Sequence, residues 1–354
     1  MNNKLITLAV AAALTAPVAA QAKDEKVKDG APTVYGKVHV SYGSLEEIDS
    51  GTTTVDNWQF RSHASRFGVK GERALSDSLS ATYKFEWEVN LDGNNSDPAT
   101  GAGVAEGGDS AGSSGFSRRN MYAGLKGGFG ELRFGRHDTP LKMAQGKFDQ
   151  FGDTDADLKN AGDEDGENRL DNILAYLGKS GGFKYQLAVA PGEDSAGATA
   201  DDGPADTISA AFGYSEGPLH VMVAHDSYAN GGNAVEDSLT RVVGTYKFGS
   251  MQIGALVQSG VEAPDTAAAK EDWIGLSFSA KVGSNGKIKA QYIEVEDNRT
   301  QPLESTLLAI GYDHKVGKKT KIYAMYSNLD EDDTSGNTDD FEKSFIGVGF
   351  ITKF

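Results

Sequence analysis

The sequence predicts an all-β protein, a 16-stranded antiparallel transmembrane β-barrel, and three observations lead to this fold class. Segments of about ten residues alternate apolar and polar positions, as strands with two different faces do. The connections between these segments are alternately short and long. The composition is the third observation, because 44 Gly among 354 residues, with 9 Pro and no Cys, favour strands and turns over long helices.

The N-terminal segment has the features of an export signal. Lys4 gives a positive start, an apolar run follows from Leu5 to Leu14, and Ala20-Gln21-Ala22 offers a cleavage site of small residues. The alternative is a short core helix, and the immediate change to charged residues argues against it. We therefore expect a signal peptide at residues 1–22 and a single barrel domain at residues 23–354.

From Thr33 onward the period-two pattern predicts sixteen strands. It is clearest near residue 85, where Tyr83, Phe85 and Trp87 alternate with Lys84, Glu86 and Glu88. The predicted strands cover residues 33–43, 57–71, 78–90, 116–127, 130–137, 169–178, 182–190, 206–215, 218–228, 237–248, 250–260, 271–283, 286–297, 303–315, 319–329 and 342–354.

The connections indicate where such a sheet would reside. Long polar connections are expected at residues 44–56, 91–115, 138–168, 191–205, 261–270 and 330–341, and tight turns lie between them. An even number of strands with short turns at one end and long loops at the other is typical of outer-membrane barrels, with the turns periplasmic and the loops extracellular. A large soluble β-sandwich or propeller is the alternative, but it does not require this rhythm. Candidate aromatic girdle residues are Tyr35, Tyr42, Trp87, Tyr122, Tyr246 and Phe248.

The charge balance is strongly acidic. The chain has a formal net charge of −17, and without Lys4 the mature part has 33 basic and 51 acidic residues, or −18. This charge disfavours nucleic acid as a partner because phosphates would be repelled. In a channel it would accumulate cations at the mouths, so the sequence predicts a modest cation preference. The lack of Cys removes disulfides, thiolate nucleophiles and thiolate metal sites together.

Several segments resemble the trimeric general diffusion porins of Gram-negative outer membranes. They are Val34–Lys37, Ser65–Glu72, Arg119–Gly127, Phe134–Pro140 and Gly146–Asp153, and the C-terminal Phe354 fits the family's assembly signal. The resemblance covers nearly the whole mature chain. It implies a homotrimer in the cell outer membrane, in contact with lipid, lipopolysaccharide and the assembly machinery, through which ions and small hydrophilic solutes pass passively.

The resemblance also implies a constriction formed by a third loop, residues 138–168, that folds into the barrel. In the family, basic wall residues face acidic loop residues at this point. By this resemblance, the basic wall residues of the constriction, or basic ladder, are Lys37, Arg66, Arg119 and Arg169. The corresponding acidic loop residues are Asp149, Asp153, Asp155 and Asp157. The loop lacks the Pro-Glu-Phe-Gly-Gly pattern of enterobacterial members, so which carboxylate projects into the pore stays open. For each residue the alternative is a solvated side chain without a role in selectivity.

Two other classes of function remain as alternatives. A substrate-specific channel, for example for oligosaccharides, would need an aromatic track, for which Tyr35 and Tyr323 are candidates. A surface or adhesin-like β-protein is the third hypothesis. We expect no enzyme, because no G-x-S-x-G elbow and no paired nucleophile and base are found. We expect no resident cofactor, although the acidic segments 163–167 and 330–333 offer oxygen ligands to divalent cations.

Overall fold

The computed structural model describes residues 30–92, 115–162, 166–192, 204–228, 237–261, 270–298, 303–333 and 340–354, which form one closed antiparallel sheet. Its strand segments are β1 (Thr33–Asp49), β2 (Thr52–Ser62), β3 (Arg66–Ala74), β4 (Leu79–Val89), β5 (Phe116–Gly127), β6 (Gly130–Asp138), β7 (Arg169–Ser180), β8 (Phe183–Ala190), β9 (Thr207–Glu216), β10 (Leu219–Tyr228), β11 (Asp237–Phe248), β12 (Met251–Val261), β13 (Glu271–Val282), β14 (Gly286–Asp297), β15 (Leu303–Lys315), β16 (Thr320–Asp333) and β17 (Phe341–Lys353). Two short helical turns lie between β6 and β7: helix α1 (Pro140–Ala144) and a 3₁₀ turn (Leu158–Asn160). Within these ranges, no helix has the length and apolar character needed to cross a membrane.

The first and last strands close the barrel. β1 pairs antiparallel with β17 from Lys37, opposite Lys353, to Asp49, opposite Phe341. The C-terminal Phe354 extends this seam: its N–H donates to the carbonyl of Gly36 at 3.1 Å, and the Gly36 N–H donates back at 3.3 Å. The Phe354 ring occupies the space that a side chain at position 36 would need.

The segments β2 and β3 are two parts of one barrel strand, so seventeen segments make sixteen strands and confirm the predicted barrel. β2 pairs with the part of β1 that begins at Val40, and β3 pairs with Thr33 to Lys37. The break falls at His63, Ala64 and Ser65, where Ala64 has a φ of 46°. The sequence predicted one unbroken strand over 57–71. The break reverses the parity of the strand: the outward aromatic residues are even-numbered before it, at Trp58 and Phe60, and odd-numbered after it, at Phe67.

The first long connection was wrongly predicted. Residues 44–56 continue β1 and β2 as a hairpin that turns at Ser50 and Gly51, with φ of 49° and 75°. At the far end of this hairpin the outward positions are polar, since Glu46 lies opposite Asp56 and both are exposed. The apolar half of the pattern is therefore lost, although the strands continue.

The outer wall is apolar and the inner wall is polar, as expected for strands that alternate between lipid and water. Exposed apolar side chains include Tyr42, Trp58, Phe60, Phe85, Phe134, Phe183, Phe212, Ile274, Leu276, Ile346 and Val348. Two of the predicted girdle residues face inward instead. Tyr35 hydrogen-bonds to Glu86, and the Arg133 guanidinium lies 4.5 Å from the Tyr122 ring centroid.

The contact between Phe354 and Gly36 generates a testable expectation about the seam. Gly36→Ala should lower the temperature at which the barrel unfolds, because the new Cβ overlaps the Phe354 ring, and overpacking typically costs about 1–3 kcal/mol. Gly244→Ala is the matched control, since a Cβ there has its nearest neighbour at 3.6 Å. The readout is the heat-dependent shift in electrophoretic mobility of the folded barrel. Equal midpoints for the two variants would contradict the proposed seam packing.

Candidate functional site: the loop inside the barrel

The connection between β6 and β7 runs along the inner wall rather than out of the barrel. It begins with α1, where the Thr139 hydroxyl accepts the Lys142 N–H at 3.2 Å and Pro140 occupies the first turn. It then turns at Gly146, which has a φ of 64° and lies so close to His220 that a side chain would not fit. The His220 Nε2 donates to the Ala144 carbonyl at 2.9 Å, which ties α1 to β10.

Apolar anchors hold the middle of the loop against the wall. Phe148 is fully buried, and its ring rests where β12 and β13 present Gly254 and Gly275. A Cβ at Gly275 would lie 2.6 Å from the Phe148 ring, so the glycine leaves the space that the ring fills. Phe151 is also buried, with the Lys289 ammonium 4.1 Å from its ring centroid. Burial of each such side chain contributes about 1.5–3 kcal/mol.

Polar anchors fix the same segment. Gln150 donates its N–H to Gln291 at 2.9 Å, and its carbonyl accepts from Lys289 at 2.9 Å. Nearer β7, the fully buried Arg241 donates to Glu167 at 3.0 Å and to Gln258 at 2.7 Å. Because these donors and acceptors belong to the wall strands, the backbone of the loop has one defined position across the lumen.

The tip of the loop presents one carboxylate to two cations. Asp153 has a φ of 66°, and its Oδ2 lies 2.5 Å from the Lys37 ammonium and 2.6 Å from the Arg66 guanidinium. Burial alone would raise the pKa of Asp153, but the charges of Arg66 and Lys37, with a smaller effect from Arg119, hold it well below its usual range. Asp153 is therefore ionised at neutral pH.

A second ion pair lies beside the tip. The Asp155 carboxylate is 3.0 Å from the guanidinium of Arg61, a wall residue on β2. The wall next to this pair contains two further hydrogen bonds, one joining Ser41 and His63 at 2.6 Å and one joining His39 and Tyr323 at 2.9 Å.

The other two acidic loop residues, Asp149 and Asp157, turn into the loop, a point that the sequence left open. Asp149 accepts the Phe151 N–H at 2.7 Å, and Asp157 accepts the N–H groups of Asp153 at 2.5 Å and Lys159 at 3.2 Å. Burial, together with the neighbouring Asp157 charge, raises the pKa of Asp149 well above its usual value. Burial also raises the pKa of Asp157. Both serve the loop backbone, a local role that side-chain parity cannot reveal.

Of the four basic residues predicted for the wall, Lys37 and Arg66 meet a loop carboxylate. Arg119 pairs with Glu86, at 3.2 Å, and with Glu88. Arg169 pairs with Asp138 at 2.9 Å, where β6 ends. Glu86 and Glu88 were not among the predicted site residues, although both lie on the polar face of the predicted strand 78–90. Glu88 is directly opposite Arg66 in the sheet.

Within the described ranges, no group of three or more His, Asp and Glu side chains is arranged to hold a metal ion. Residues 163–165, part of one acidic segment considered for divalent cations, lie outside the described residues.

A closed barrel with polar inner walls and a loop across its lumen defines an outer-membrane channel. The family described as Gram-negative porin matches residues 7–334, and the chain belongs to this family. It is 26% identical over 327 residues to outer membrane porin protein 32 of Delftia acidovorans, an alignment that covers 89% of this chain and 85% of that protein. It is 30% identical over 142 residues to the major outer membrane protein P.IB of Neisseria meningitidis, covering 40% of this chain and 36% of that one.

Solved structures agree on the fold. The anion-selective porin from Comamonas acidovorans superposes with a TM-score of 0.71 at 22% identity, covering 92% of this chain and 99% of that one. OmpF of Salmonella typhi superposes with a TM-score of 0.65 at 15% identity, covering 91% and 97%. The protein is thus a porin of the outer membrane, and its relatives are channels rather than enzymes.

Burial of the Phe148 ring leads to a prediction about single-channel current, because this ring anchors the loop inside the barrel. Phe148→Ala should remove an anchor, because truncating a buried Phe typically costs about 3–5 kcal/mol, and the loop would then leave its position for part of the time. We expect larger and noisier single-channel currents in planar bilayers. Phe134→Ala, which removes an exposed ring from the outer wall, is the control. Unchanged noise in Phe148→Ala would show that this anchor does not hold the loop.

The carboxylate pair inside the loop predicts a pH dependence. Since the pKa of Asp149 is raised in the folded loop, the protonated form is favoured there, and this stabilisation is lost as the pH rises through that raised pKa. Current noise from the loop should therefore increase from acidic toward alkaline pH in the native channel. Asp149→Asn should flatten this dependence, whereas Asp56→Asn, on the exposed face of β2, should preserve it. A pH profile that is identical in all three proteins would contradict the assignment.

Proposed function

We propose that the chain forms a passive channel for ions and small hydrophilic solutes, in which the loop at residues 138–168 sets the constriction and favours anions. The observation that carries the proposal is the loop tip, where Asp153 meets both Lys37 and Arg66. With the neighbouring ion pairs included, four carboxylates (Asp153, Asp155, Glu86 and Glu88) meet five cations (Lys37, Arg61, Arg66, Lys84 and Arg119), which leaves a local excess of one positive charge. Asp149 and Asp157 do not face the ion path, because both are buried in the loop and accept hydrogen bonds from its backbone N–H groups.

The position of the acidic residues supports an anion preference despite the charge of −17. Residues 93–114, 163–165, 193–203, 229–236, 262–269, 299–302 and 334–339 contain fourteen acidic residues and one basic residue. In the sequence, all of these segments except 163–165 lie outside the loop between β6 and β7, whereas Asp153 belongs to that loop and contacts Lys37 and Arg66 on the inner wall. At physiological ionic strength a charge is screened over about 8 Å, so charges at the mouth have little effect on the constriction.

The cation preference expected from the sequence has no support among the relatives. The solved porin from Comamonas acidovorans is described as anion-selective, which agrees with a basic constriction. The earlier expectation summed charge over the whole chain. Selectivity depends instead on fixed charge at the narrowest point, where an ion passes closest to the charged side chains.

We further propose the assembly that the family implies: export through a cleaved signal peptide, insertion that depends on Phe354, and a homotrimer surrounded by lipid and lipopolysaccharide. One related structure, OmpT of Vibrio cholerae, is described as a trimer form. The signal peptide at residues 1–22 and most of the expected loop at 91–115 lie outside the described residues.

A channel specific for oligosaccharides is less well supported. Tyr35 and Tyr323 both face inward, as an aromatic track would require. However, the Tyr35 hydroxyl donates to Glu86 at 2.8 Å and its ring lies 5.1 Å from the Lys70 ammonium, while Tyr323 is buried against His39. Both rings are therefore occupied by wall contacts.

Zero-current potentials across a KCl gradient test the ion preference. Chloride should be favoured in the native channel, and Asp153→Asn should increase this preference about two- to five-fold, as expected when one carboxylate near the ion path is removed in a high-dielectric pore. Lys37→Gln combined with Arg66→Gln should shift it toward potassium. Asp56→Asn on the outside of β2 is the control and should leave the potential unchanged. A native channel that favours potassium would refute the proposal.

A further inference from the structure

The inner wall near the short turns repeats an unfavourable arrangement. Lysines lie directly opposite one another on neighbouring strands in five pairs of the described sheet: Lys37 and Lys353, Lys70 and Lys84, Lys179 and Lys184, Lys281 and Lys287, and Lys315 and Lys321. Like charges directly opposite each other destabilise a sheet. Repetition on five strand pairs therefore indicates a role that outweighs this cost.

Contacts with the loop and with other inner-wall residues place these lysines in the lumen. Lys37 pairs with Asp153, and Lys287 donates to the Gln150 side chain at 2.8 Å. Lys321 binds Asp313 at 2.6 Å, next to the loop-bound Lys289. Residues directly opposite one another share a face of the sheet, so the partner of each lysine also faces inward. The pairs thus surround the vestibule between the loop and the short turns, which we call the lysine vestibule.

The positive charge of this vestibule is poorly compensated between β13 and β17. Residues 277–291, 309–325 and 348–354 contain eight lysines, of which Lys318 and Lys319 lie in a turn. Asp313 is the one acidic side chain in these three ranges. Asp313 lies directly opposite Lys287 and also contacts Lys289 and Lys321, so several ammonium groups share this one carboxylate.

The opposite end of the barrel shows the reverse pattern. There Glu271 lies opposite Asp297 on the inner wall, and both line one cavity together with Glu331. The pore therefore has an acidic long-loop end and a basic short-turn end. A polyvalent anion would be repelled at the first and attracted at the second.

We propose that the lysine vestibule binds polyvalent anions, such as phosphate esters or tricarboxylates, that enter from the short-turn side. Strands are about 4.8 Å apart, so the pairs Lys281–Lys287 and Lys315–Lys321, on four consecutive strands, lie within reach of one small trivalent anion. Each ammonium offers three N–H donors, which phosphate and carboxylate oxygens accept. The proposal rests on the proposed anion-preferring channel and adds a solute class and a direction to it.

The test is side-specific block of the KCl current by pyrophosphate or citrate, with acetate as the monovalent control. The chain has no Cys, so Lys318→Cys introduces a single thiol at the short-turn end. A membrane-impermeant thiol reagent that modifies it identifies that side in each bilayer. Both trivalent anions should block from this side and much less from the other, while acetate should not block. Stronger block by pyrophosphate would indicate phosphate esters as the solutes, and stronger block by citrate would indicate tricarboxylates.

Substitutions test the residues themselves. Replacing Lys281, Lys287, Lys315 and Lys321 together by Gln should weaken the block about ten-fold, since four charges within a screening length are lost. Replacement of the same four by Arg should preserve it. Lys318→Gln with Lys319→Gln, which neutralises turn lysines outside the pairs, is the control and should weaken the block much less. If the Gln protein does not insert, native channels still provide a test, because the block should disappear as KCl rises from about 0.1 to 1 M.

Two results would overturn the proposal that the lysine vestibule binds polyvalent anions. One is equal block from both sides of the membrane, and the other is unchanged block in the variant with the four lysines replaced by Gln. Zero-current potentials measured on the same channels keep this outcome separate from the proposed ion preference. Chloride preference without side-specific block would refute the vestibule alone. Side-specific block in a channel that favours potassium would refute the ion preference and leave the vestibule in place.

Discussion

The structure depends on one constraint, which is that lipid offers no hydrogen-bond partner to a peptide group. A sheet that crosses the membrane must therefore pair both edges, and the seam between β1 and β17 satisfies this requirement down to the mutual hydrogen bonds of Gly36 and Phe354. Closure then assigns the side chains. One face of each strand is given to lipid, and all charged groups needed for function must lie on the other face, in water.

The charged side chains of a closed barrel lie on walls that face each other across a wide lumen. The second requirement is therefore a structure that brings opposite charges into contact inside this lumen. The loop does this by carrying Asp153 to Lys37 and Arg66, and it is held in place by rings and amides that the wall accommodates. Gly275 illustrates the mutual fit, because the missing side chain on β13 is filled by Phe148 from the loop. The apolar anchors are thus the reason that the ionic contacts at the tip have a fixed geometry.

Much of the fold could be predicted from the sequence, because the membrane enforces a period of two. The pattern identified sixteen strands, and it failed where the membrane no longer acts, at the exposed hairpin that carries Glu46 and Asp56. The site was less predictable. Parity indicated that Arg66 faces inward, but the direction of Asp149 depends on hydrogen bonds to the loop backbone, which no periodicity encodes. Likewise, the cross-strand position of Glu88 opposite Arg66 requires the register of the sheet.

The net charge of the chain is a poor guide to its function for a related physical reason. The screening length in physiological salt is about 8 Å, which is short compared with strands of ten or more residues at about 3.4 Å per residue. The two ends of such a pore therefore act as separate electrostatic regions. The connecting segments carry an acidic surplus, while the inner wall carries lysine pairs such as Lys281 and Lys287. Each group acts on an ion only where the ion passes close to it, so the negative charge of one does not neutralise the positive charge of the other. Direction-dependent behaviour toward polyvalent anions follows from this separation, even though passage itself requires no energy.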